Sequence, residues 1–203
     1  MKKTLKICFN VCTSLVIFSC IIFFVYKYIS NKKNESELLS IANNLVNENV
    51  ITGNKNISSD EECKSLDTEK EENDRKVIGK IIINGIKLNA PIVDGVSQDV
   101  LKIAVGHFQE TSYWNGNVCL ASHNRGSYAH YFEKINQLNI GDEIKYQTKF
   151  GTRIYIVSEI NNIDENDLSV LGNTKENTIT LITCVKSRPE LRVCVKGVEK
   201  ILQ

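Results

Sequence analysis

The N-terminal segment constrains this chain most, because the run Ile7–Tyr26 contains twenty residues without a charge. As a helix that rises ~1.5 Å per residue, it would span roughly 30 Å, the thickness of a bilayer core. A cleaved signal peptide is the first alternative, since Lys2, Lys3 and Lys6 form a basic start. Its apolar part, however, is typically only ~7–15 residues long and ends at small residues. We therefore predict an uncleaved membrane anchor over residues 1–29.

A lipoprotein signal is the second alternative, because Cys20 follows the small residue Ser19. Phe18 fits that pattern poorly, and five bulky apolar residues follow the cysteine. Lysines flank the apolar run in equal number on both sides, so the free α-amino group decides the orientation. The prediction is a single-pass anchor in the cell membrane, with the N-terminus in the cytoplasm and the bulk of the chain outside.

The net charge of +1, from 25 basic and 24 acidic residues, excludes a generally basic nucleic-acid binder. It is the sum of three unlike segments, with +4 over residues 1–29, −5 over 30–75 and +2 over 76–203. Apolar residues between Glu35 and Val50 follow an approximate helical stripe and predict a marginal helix. From Ile51 to Arg75 large apolar residues almost disappear, which predicts an acidic linker.

Residues 76–203 are long enough for one hydrophobic core, and strand signals dominate them. Asn84-Gly85 predicts a hairpin turn between two apolar runs. Short helical segments are predicted from Ser97 to Ala104 and from Tyr131 to Leu138. The predicted strands are Val77–Asn84, Ile86–Val93, Asn117–His123, Glu143–Thr148, Arg153–Ile160, Thr178–Cys184 and Leu191–Val198. Many short strands with few helices predict a mainly β domain, either a closed barrel or a sandwich.

Two of the predicted strands end in residues that are suited to nucleophilic chemistry. His123 closes one strand and Cys184 closes another, and Arg192 lies on the strand that follows Cys184. A cysteine reacts as its thiolate, so it needs a neighbouring base or a fixed positive charge. A cysteine in an apolar strand is more often a small core residue, so this pattern alone leaves both interpretations open.

The run Thr180–Cys184, with the sequence TLITC, resembles the TLxTC signature of the sortases, the membrane-anchored cysteine transpeptidases of Gram-positive bacteria. An arginine on the following strand, here Arg192, also matches that family. Further runs that resemble the family are Gly106-His107-Phe108, Gly116-Asn117-Val118, Ser122-His123-Asn124 and Gly141-Asp142-Glu143-Ile144.

The resemblance covers residues 76–203 and looks most like class D sortases, with class B as the alternative. Two departures accompany it. Ser122 precedes the histidine where many class D members have glycine, and only seven residues separate Cys184 from Arg192.

The resemblance implies a closed eight-stranded sortase-type β-barrel with a few short helices, behind one N-terminal transmembrane helix. It implies that Cys184 cleaves an LPxTG-like sorting signal through a thioester, with His123 as the acid and base. Arg192 would bind substrate and stabilise the oxyanion. The expected substrate-binding residues are Thr183, Asn124 and His107. An amine from a peptidoglycan precursor or a pilin lysine would resolve the thioester, and we expect no metal, organic cofactor or nucleic-acid partner.

Some residues compete for these roles. Arg188 is the alternative to Arg192, although it lies in the loop before Pro189. His130 is the alternative base, although we expect it at the surface. His107 follows a glycine in a predicted loop, where a structural role competes with the substrate groove.

The remaining cysteines and acidic residues have simpler interpretations. Cys119 shares a strand face with His123, and Cys194 shares one with Arg192, so either could lie near the site or pack in the core. The sequence leaves open whether the two pair. Asp164, Glu165 and Asp167 form an acidic loop, for which solvated charge is the expectation and a cation site the alternative.

Two other functions fit the same residues. A thiol peptidase would use the same site with water as the acceptor. A non-catalytic surface β-domain, such as a lipoprotein adhesin, would use the motif residues for packing alone.

Overall fold

The computed structural model describes residues 2–51, 76–126 and 129–201, with the side chains of 13–47 in the first of these ranges. These residues form two compact units, Met1–Glu37 and Leu38–Gln203. The predicted acidic linker lies outside the described residues except for Ile51, and so does Cys63. The division at 29/30 and 75/76 therefore stays a prediction.

The first helix, α1, spans Lys2–Ile51 and includes the predicted marginal helix without a break. Its part Thr13–Asn47 contains an 18-residue stretch with a mean hydropathy of 1.8, none of which is buried. The large apolar side chains from Leu15 to Ile29 are all more than half exposed. By length and composition, this helix is a candidate membrane anchor, as the sequence predicts.

The second unit contains a closed barrel of eight strands, which confirms the predicted fold class. The strands are β1 (Val77–Ile83), β2 (Leu88–Asp94), β3 (Val105–His107), β4 (Asn117–Ala121), β5 (Glu143–Thr148), β6 (Gly151–Asp164), β7 (Thr178–Val185) and β8 (Arg188–Glu199). Around the barrel the order is β1-β2-β3-β4-β7-β8-β6-β5. The pairs β2–β3 and β4–β7 are parallel, and the other neighbours are antiparallel. A short helix, α2, covers Gln98–Leu101.

Alternation of side chains along the strands separates the core from the outer face of the barrel. The core residues on three neighbouring strands are Val118 and Leu120 of β4, Ile179 and Leu181 of β7, and Val193 and Val195 of β8. The alternating residues of the same strands therefore face outward, and this alternation places the predicted site residues Cys184 and Arg192 on the outer face. Tyr146, Tyr155 and Phe132 are the largest fully buried side chains.

Several element boundaries differ from the sequence prediction. The turn after β1 is a 3₁₀ turn over Asn84–Ile86, closed by Lys87 in a left-handed conformation (φ 56°), instead of a two-residue hairpin turn. The helix predicted for Ser97–Ala104 ends at Leu101. The strand predicted for Asn117–His123 ends at Ala121.

Strand pairing accounts for the extra strand residues. The last residues of β6, up to Asp164, pair with β8 from Leu191 onward, although Asn161 and Asn162 weaken the strand signal in the sequence. The strand β3 is only three residues long and was not predicted. Its parallel pairing with β2 and antiparallel pairing with β4 are long-range contacts, which periodicity does not encode.

Candidate active site

The candidate site lies at the rim of the barrel, where β4 and β7 end side by side. Because the two strands are parallel, their C-terminal ends meet at the same rim. Ala121 pairs with Ile182, and the Ser122 amide then donates to the Ile182 carbonyl at 3.3 Å. Two residues beyond this last pair lie His123, which follows β4, and Cys184, which is still in β7.

Arg192 reaches the same rim from the opposite side of Cys184. It is the cross-strand partner of Cys184 in the antiparallel pair β7–β8, and the register shifts immediately after Cys184. Directly opposite residues share one face of a sheet. Cys184 is exposed, whereas His123 and Arg192 are partly buried. The structure thus places Cys184 and Arg192 opposite each other on the outer face, with His123 two residues beyond the end of β4.

Two hydrogen bonds hold the strand ends together. The Asn124 side-chain amide donates to the Cys184 carbonyl, which ties the segment after His123 to the strand that carries the thiol. The Thr183 hydroxyl donates to the Ser122 carbonyl at 2.7 Å and is buried. Thr183 therefore stabilises the rim from inside the barrel, and its contact with substrate stays a prediction.

The Arg192 guanidinium is held on the side of β8 that faces β6. Nη2 lies 2.8 Å from a carboxylate oxygen of Glu165, and Nη1 donates to the carbonyls of Pro189 and Leu191 at 2.6 and 2.9 Å. Since β8 lies between β6 and β7, Glu165 and Cys184 are on opposite sides of Arg192. No hydrogen bond joins Arg192 to the Cys184 thiol among the described residues.

The outer face next to Cys184 is open near the rim and covered further down. Ala121 and Ile182 are partly exposed beside the site. Below them, the 3₁₀ turn Leu168–Leu171 lies over the strands, and the Asn117 side chain donates to the Val170 carbonyl at 2.9 Å. The result is a shallow exposed strip that leads to the thiol.

The other two barrel cysteines are unsuited to nucleophilic attack. Cys119 and Cys194 are free thiols and both are buried, so they do not pair. Burial raises the pKa of Cys119 to about 12 and the pKa of Cys194 to about 11. Because the thiolate is the nucleophile, both are inert at neutral pH. Among the described cysteines of the barrel, Cys184 alone is exposed.

His107 has a structural environment. It lies in β3 instead of a loop, it is fully buried, and its Nδ1 is 3.2 Å from Asp94. Its Nε2 is 3.1 Å from the Ser112 carbonyl, and its ring stacks on Tyr113 at 4.4 Å. His107 therefore packs inside the barrel, and a substrate-binding role for it stays a prediction.

The competing residues lie apart from the thiol. Arg188 pairs with Val185 across the strands and forms an exposed ion pair with Glu190 at 2.9 Å. His130 is exposed, with Nε2 3.6 Å from Glu133. Neither is the strand neighbour of Cys184.

The acidic loop divides its carboxylates among separate partners. Asp164 accepts from the Asn166 amide at 2.9 Å, Asp167 accepts from Ser169, and Glu165 pairs with Arg192. Within residues 76–126 and 129–201 no group of His, Cys, Asp or Glu side chains has an arrangement that could hold a metal ion.

Comparison with known proteins shows the family of the chain. A family model described as the sortase domain matches residues 81–200, which is more than half of the chain. The chain belongs to the sortase family. Sortase barrels recur among solved structures with similar folds.

Individual sortases match at modest identity. Sortase A of Listeria monocytogenes is 32% identical over 111 residues, which are 54% of this chain and 50% of that protein. Sortase D of Bacillus subtilis is 32% identical over 104 residues, 48% of this chain and 50% of that protein. The chain thus spans about half the length of the curated sortases that it matches.

Among solved structures, a Clostridium perfringens sortase described as a Sortase D5 transpeptidase is 30% identical, with a TM-score of 0.59. The match covers 80% of this chain and 99% of that structure. Names of sortases A, C and D all occur among the relatives, so class D stays a prediction for this sortase.

The sequence did not reveal two contacts of the site. Glu165 was grouped with its acidic neighbours, and only the β6–β8 pairing shows that it faces Arg192. Asn124 was expected to bind substrate, whereas its amide reaches the backbone of Cys184. No local pattern signals either contact, because each joins residues far apart in the sequence.

Proposed function

We propose that this sortase is a membrane-anchored cysteine transpeptidase, in which Cys184 is the nucleophile, His123 the acid and base, and Arg192 the oxyanion-binding group. The observation that carries the proposal is the position of Cys184. It is an exposed thiol near the end of β7, where Arg192 is its partner on β8 and His123 follows the neighbouring strand β4.

The first half of the reaction forms a thioester. Once the Cys184 thiol has passed its proton to His123, the sulfur bonds to the carbonyl carbon of the scissile peptide bond in an LPxTG-like sorting signal, and the carbon–nitrogen bond breaks. His123 gives a proton to the leaving amine. The negative charge that develops on the carbonyl oxygen is stabilised by Arg192, once its guanidinium turns toward β7.

The second half transfers the acyl group. An amine of a peptidoglycan precursor or a pilin lysine attacks the thioester carbon, and the carbon–sulfur bond breaks. His123 takes the proton that the attacking amine loses, which restores the starting state. The residues that hold the rim together, Asn124 and Thr183, keep the two strand ends in register during both steps.

The partly exposed strip beside Cys184 is the place where an extended sorting signal would lie. Ala121 and Ile182 offer it an apolar floor at the rim. The exposed side chain of Leu168 stands at the edge of the turn below. This arrangement supports a short linear peptide as the substrate.

The anchor supports a membrane-bound role. With the N-terminus in the cytoplasm and the barrel outside the cell membrane, the enzyme would meet surface proteins that carry a C-terminal sorting signal at the same membrane. The chemistry proposed here uses the chain's own residues, and we expect no metal or organic cofactor.

The test is to incubate the full-length protein, held in detergent micelles, with a panel of LPxTG-type peptides with and without an amine acceptor such as triglycine. Mass spectrometry would detect the cleaved peptide, the ligated product and a thioester on Cys184. Cleavage with amine ligation supports the proposal. Cleavage without ligation at any acceptor concentration would identify a thiol peptidase, and no cleavage across the panel would favour the non-catalytic domain.

A further inference from the structure

A segment of helix α1 belongs to the same compact unit as the barrel. The side chains of Leu38, Ala42 and Val46 are buried, and their spacing of four residues places them on one helix face. Ile41, next to them in sequence, points elsewhere and is 41% exposed. The three buried residues Leu38, Ala42 and Val46 are called the docked helix face.

Through Leu38, the docked helix face covers an outward-facing part of the barrel near α2. Ile92 of β2 belongs to the core, so its neighbour Val93 faces outward, yet Val93 is almost fully buried. Leu38, Val93 and Ala104 form a cluster of their own, separate from the barrel core. The partly buried residues packed against this cluster are Val77, Val100 and Ile103.

A polar contact fixes the same helix segment to β1. The Lys80 ammonium donates to the side-chain oxygen of Asn43 at 2.5 Å, and Asn43 directly follows the buried Ala42. Lys80 lies between inward-facing residues of β1 and so stands on the outer face of the barrel. The helix segment is therefore held at two points, one apolar and one polar.

The region covered by the helix also holds the segment that follows the catalytic histidine. The carbonyl of Lys102 accepts from the Ala129 amide at 3.2 Å, and the carbonyl of Ile103 accepts from the Tyr131 hydroxyl at 3.4 Å. Phe132, the residue after Tyr131, donates its amide to the His123 carbonyl at 3.2 Å. Contacts thus run without interruption from the helix to the backbone of His123.

We propose that the docked helix face is a positioning element for His123. Its packing on Ala104 and Ile103 fixes the carbonyls that hold Ala129 and Tyr131, and these in turn fix the segment bonded to His123. The inference rests on the proposed function for its catalytic consequence. The mechanical link itself is independent of that function.

The test compares two substitutions on adjacent residues of the full-length protein in lipid nanodiscs. Ala42→Asp places a charge in the buried contact, whereas Ile41→Asp places the same charge on the exposed side of the same helix turn. The barrel has its own core, so undocking the helix is expected to leave it folded. Ala42→Ser, which nearly keeps the volume, is the conservative variant, and Lys80→Met removes the polar contact alone.

Hydrogen–deuterium exchange of the peptide that contains Ala129 and Phe132 is the first measurement. Exchange of this peptide is expected to become about tenfold faster in Ala42→Asp, because local opening sets the rate. It should stay unchanged in Ile41→Asp and Ala42→Ser. The amide of Thr178, at the opposite end of the barrel, bonds to Gly116 and serves as the internal reference.

Peptide-cleavage kinetics are the second measurement. A displaced His123 is expected to lower kcat about tenfold in Ala42→Asp with little change in KM, since small displacements of a catalytic group are costly. Equal exchange at Ala129–Phe132 in the Ala42 and Ile41 variants would overturn the inference, whatever the activity. If Ala42→Asp unfolds the barrel, the test uses Lys80→Met in its place. Unchanged exchange of the Ala129–Phe132 peptide in Lys80→Met would then overturn the inference. Absence of cleavage by the unsubstituted enzyme would count against the proposed function alone.

Discussion

Cysteines lie in opposite environments at the rim of the barrel and in its wall, the middle part of the strands. Cys119 and Cys194 lie in the wall, where neighbouring strands and the covering turn bury them and raise the pKa of their thiols. Cys184 lies two residues beyond the last β4–β7 pairing of its face and is exposed. All three face outward on adjacent strands.

The three cysteines differ in their position along the strand and share the outward direction of their side chains. Position along the strand therefore separates a cysteine that packs in the fold from one that can react. A residue in the middle of a strand is flanked by ladders on both sides and covered by whatever packs on the face. A residue at the rim keeps the rigidity of the strand on one side and is open to a ligand on the other. The rule does not extend to Arg192, which pairs with Cys184 on one side and with Ile163 on the other.

The largest expected effect comes from removing each thiol in turn. Cys184→Ala should reduce peptide cleavage by at least ~10⁴-fold, to background, because no other group replaces the nucleophile. Cys119→Ala should leave kcat/KM within about twofold and only lower stability, by about 1 kcal/mol for the lost packing. The measurement is peptide-cleavage kinetics together with thermal unfolding. Retained turnover in Cys184→Ala would contradict the assignment of the nucleophile.

The second comparison is between histidines. His123→Ala should lower kcat by about 10³-fold, because proton transfer to the leaving amine is lost. His130→Ala, in an exposed position beside Glu133, should change kcat by less than about twofold. The pH profile of cleavage checks the role of His123 as acid and base. The part of the profile that depends on this histidine should vanish in His123→Ala and remain in His130→Ala. The opposite outcome would transfer the role of base to His130.

The third comparison uses alkylation of the thiols at pH 8 in the folded protein. Burial raises the pKa of Cys119 from 9.0 to about 12 and that of Cys194 to about 11. At a pH below these values the reactive thiolate fraction should fall about 1000-fold for Cys119 and about 100-fold for Cys194, relative to unfolded thiols. Iodoacetamide labelling followed by peptide mapping should therefore modify Cys184 before Cys119 and Cys194. Labelling of Cys119 before Cys184 without unfolding would break the distinction between rim and wall.

The raised pKa of the Cys119 thiol also makes the free energy of unfolding depend on pH. The neutral thiol is favoured in the folded state, so the contribution of Cys119 is complete below the pKa of an unfolded thiol, near 9. It is lost as the pH rises toward 12. Urea unfolding of Cys119→Ala and the unsubstituted protein between pH 9 and 11 would show the two stabilities converging.

The fourth comparison concerns the two arginines of the β7–β8 hairpin. Arg192→Ala should lower kcat/KM about 100-fold, because it removes charge stabilisation of the oxyanion. Arg188→Ala breaks only an exposed ion pair and should change kcat/KM by less than about twofold. Both are measured with the same peptide. A larger loss in Arg188→Ala would show that the arginine role belongs to the hairpin tip.

The sequence predicts the positions of the residues at the rim better than it predicts the contacts around them. Periodicity locates most strands, and the motif order places Cys184, His123 and Arg192 on strand ends or neighbouring strands. Parallel pairing of β4 with β7 then brings these ends together without any further information. The mainly β class follows from these local signals, whereas the closed barrel and the candidate site follow from the resemblance of the motifs to those of the sortases.

Contacts between distant parts of the chain could not be predicted in this way. Thr183 and His107 were expected at the substrate, but inward alternation and the three-residue strand β3 bury them. Glu165 reaches Arg192 only because β6 continues to Asp164 beside β8. These outcomes depend on register and strand length, which pairing across the barrel decides.

The smallest expected effect tests how the rim holds Arg192 before substrate arrives. Glu165 draws the guanidinium toward β6, away from Cys184, through a partly exposed ion pair with 25% and 43% side-chain exposure. Such pairs contribute ~0.2–1 kcal/mol, so Glu165→Gln should raise kcat/KM by only about two- to fivefold at low salt. Glu190→Gln, which affects the analogous pair with Arg188, should leave kcat/KM unchanged.

The dependence of kcat/KM on salt concentration is the measurement that decides the prediction for Glu165→Gln. Because the Debye length falls to ~3 Å at 1 M salt, screening weakens an exposed pair of charges. The kcat/KM of the unsubstituted enzyme should therefore rise toward that of Glu165→Gln as salt increases, until the two coincide. A fall in kcat/KM in Glu165→Gln at low salt would instead show that Glu165 holds Arg192 in its working position. In that case the rim is preorganised around the arginine, and the guanidinium does not need to turn toward β7.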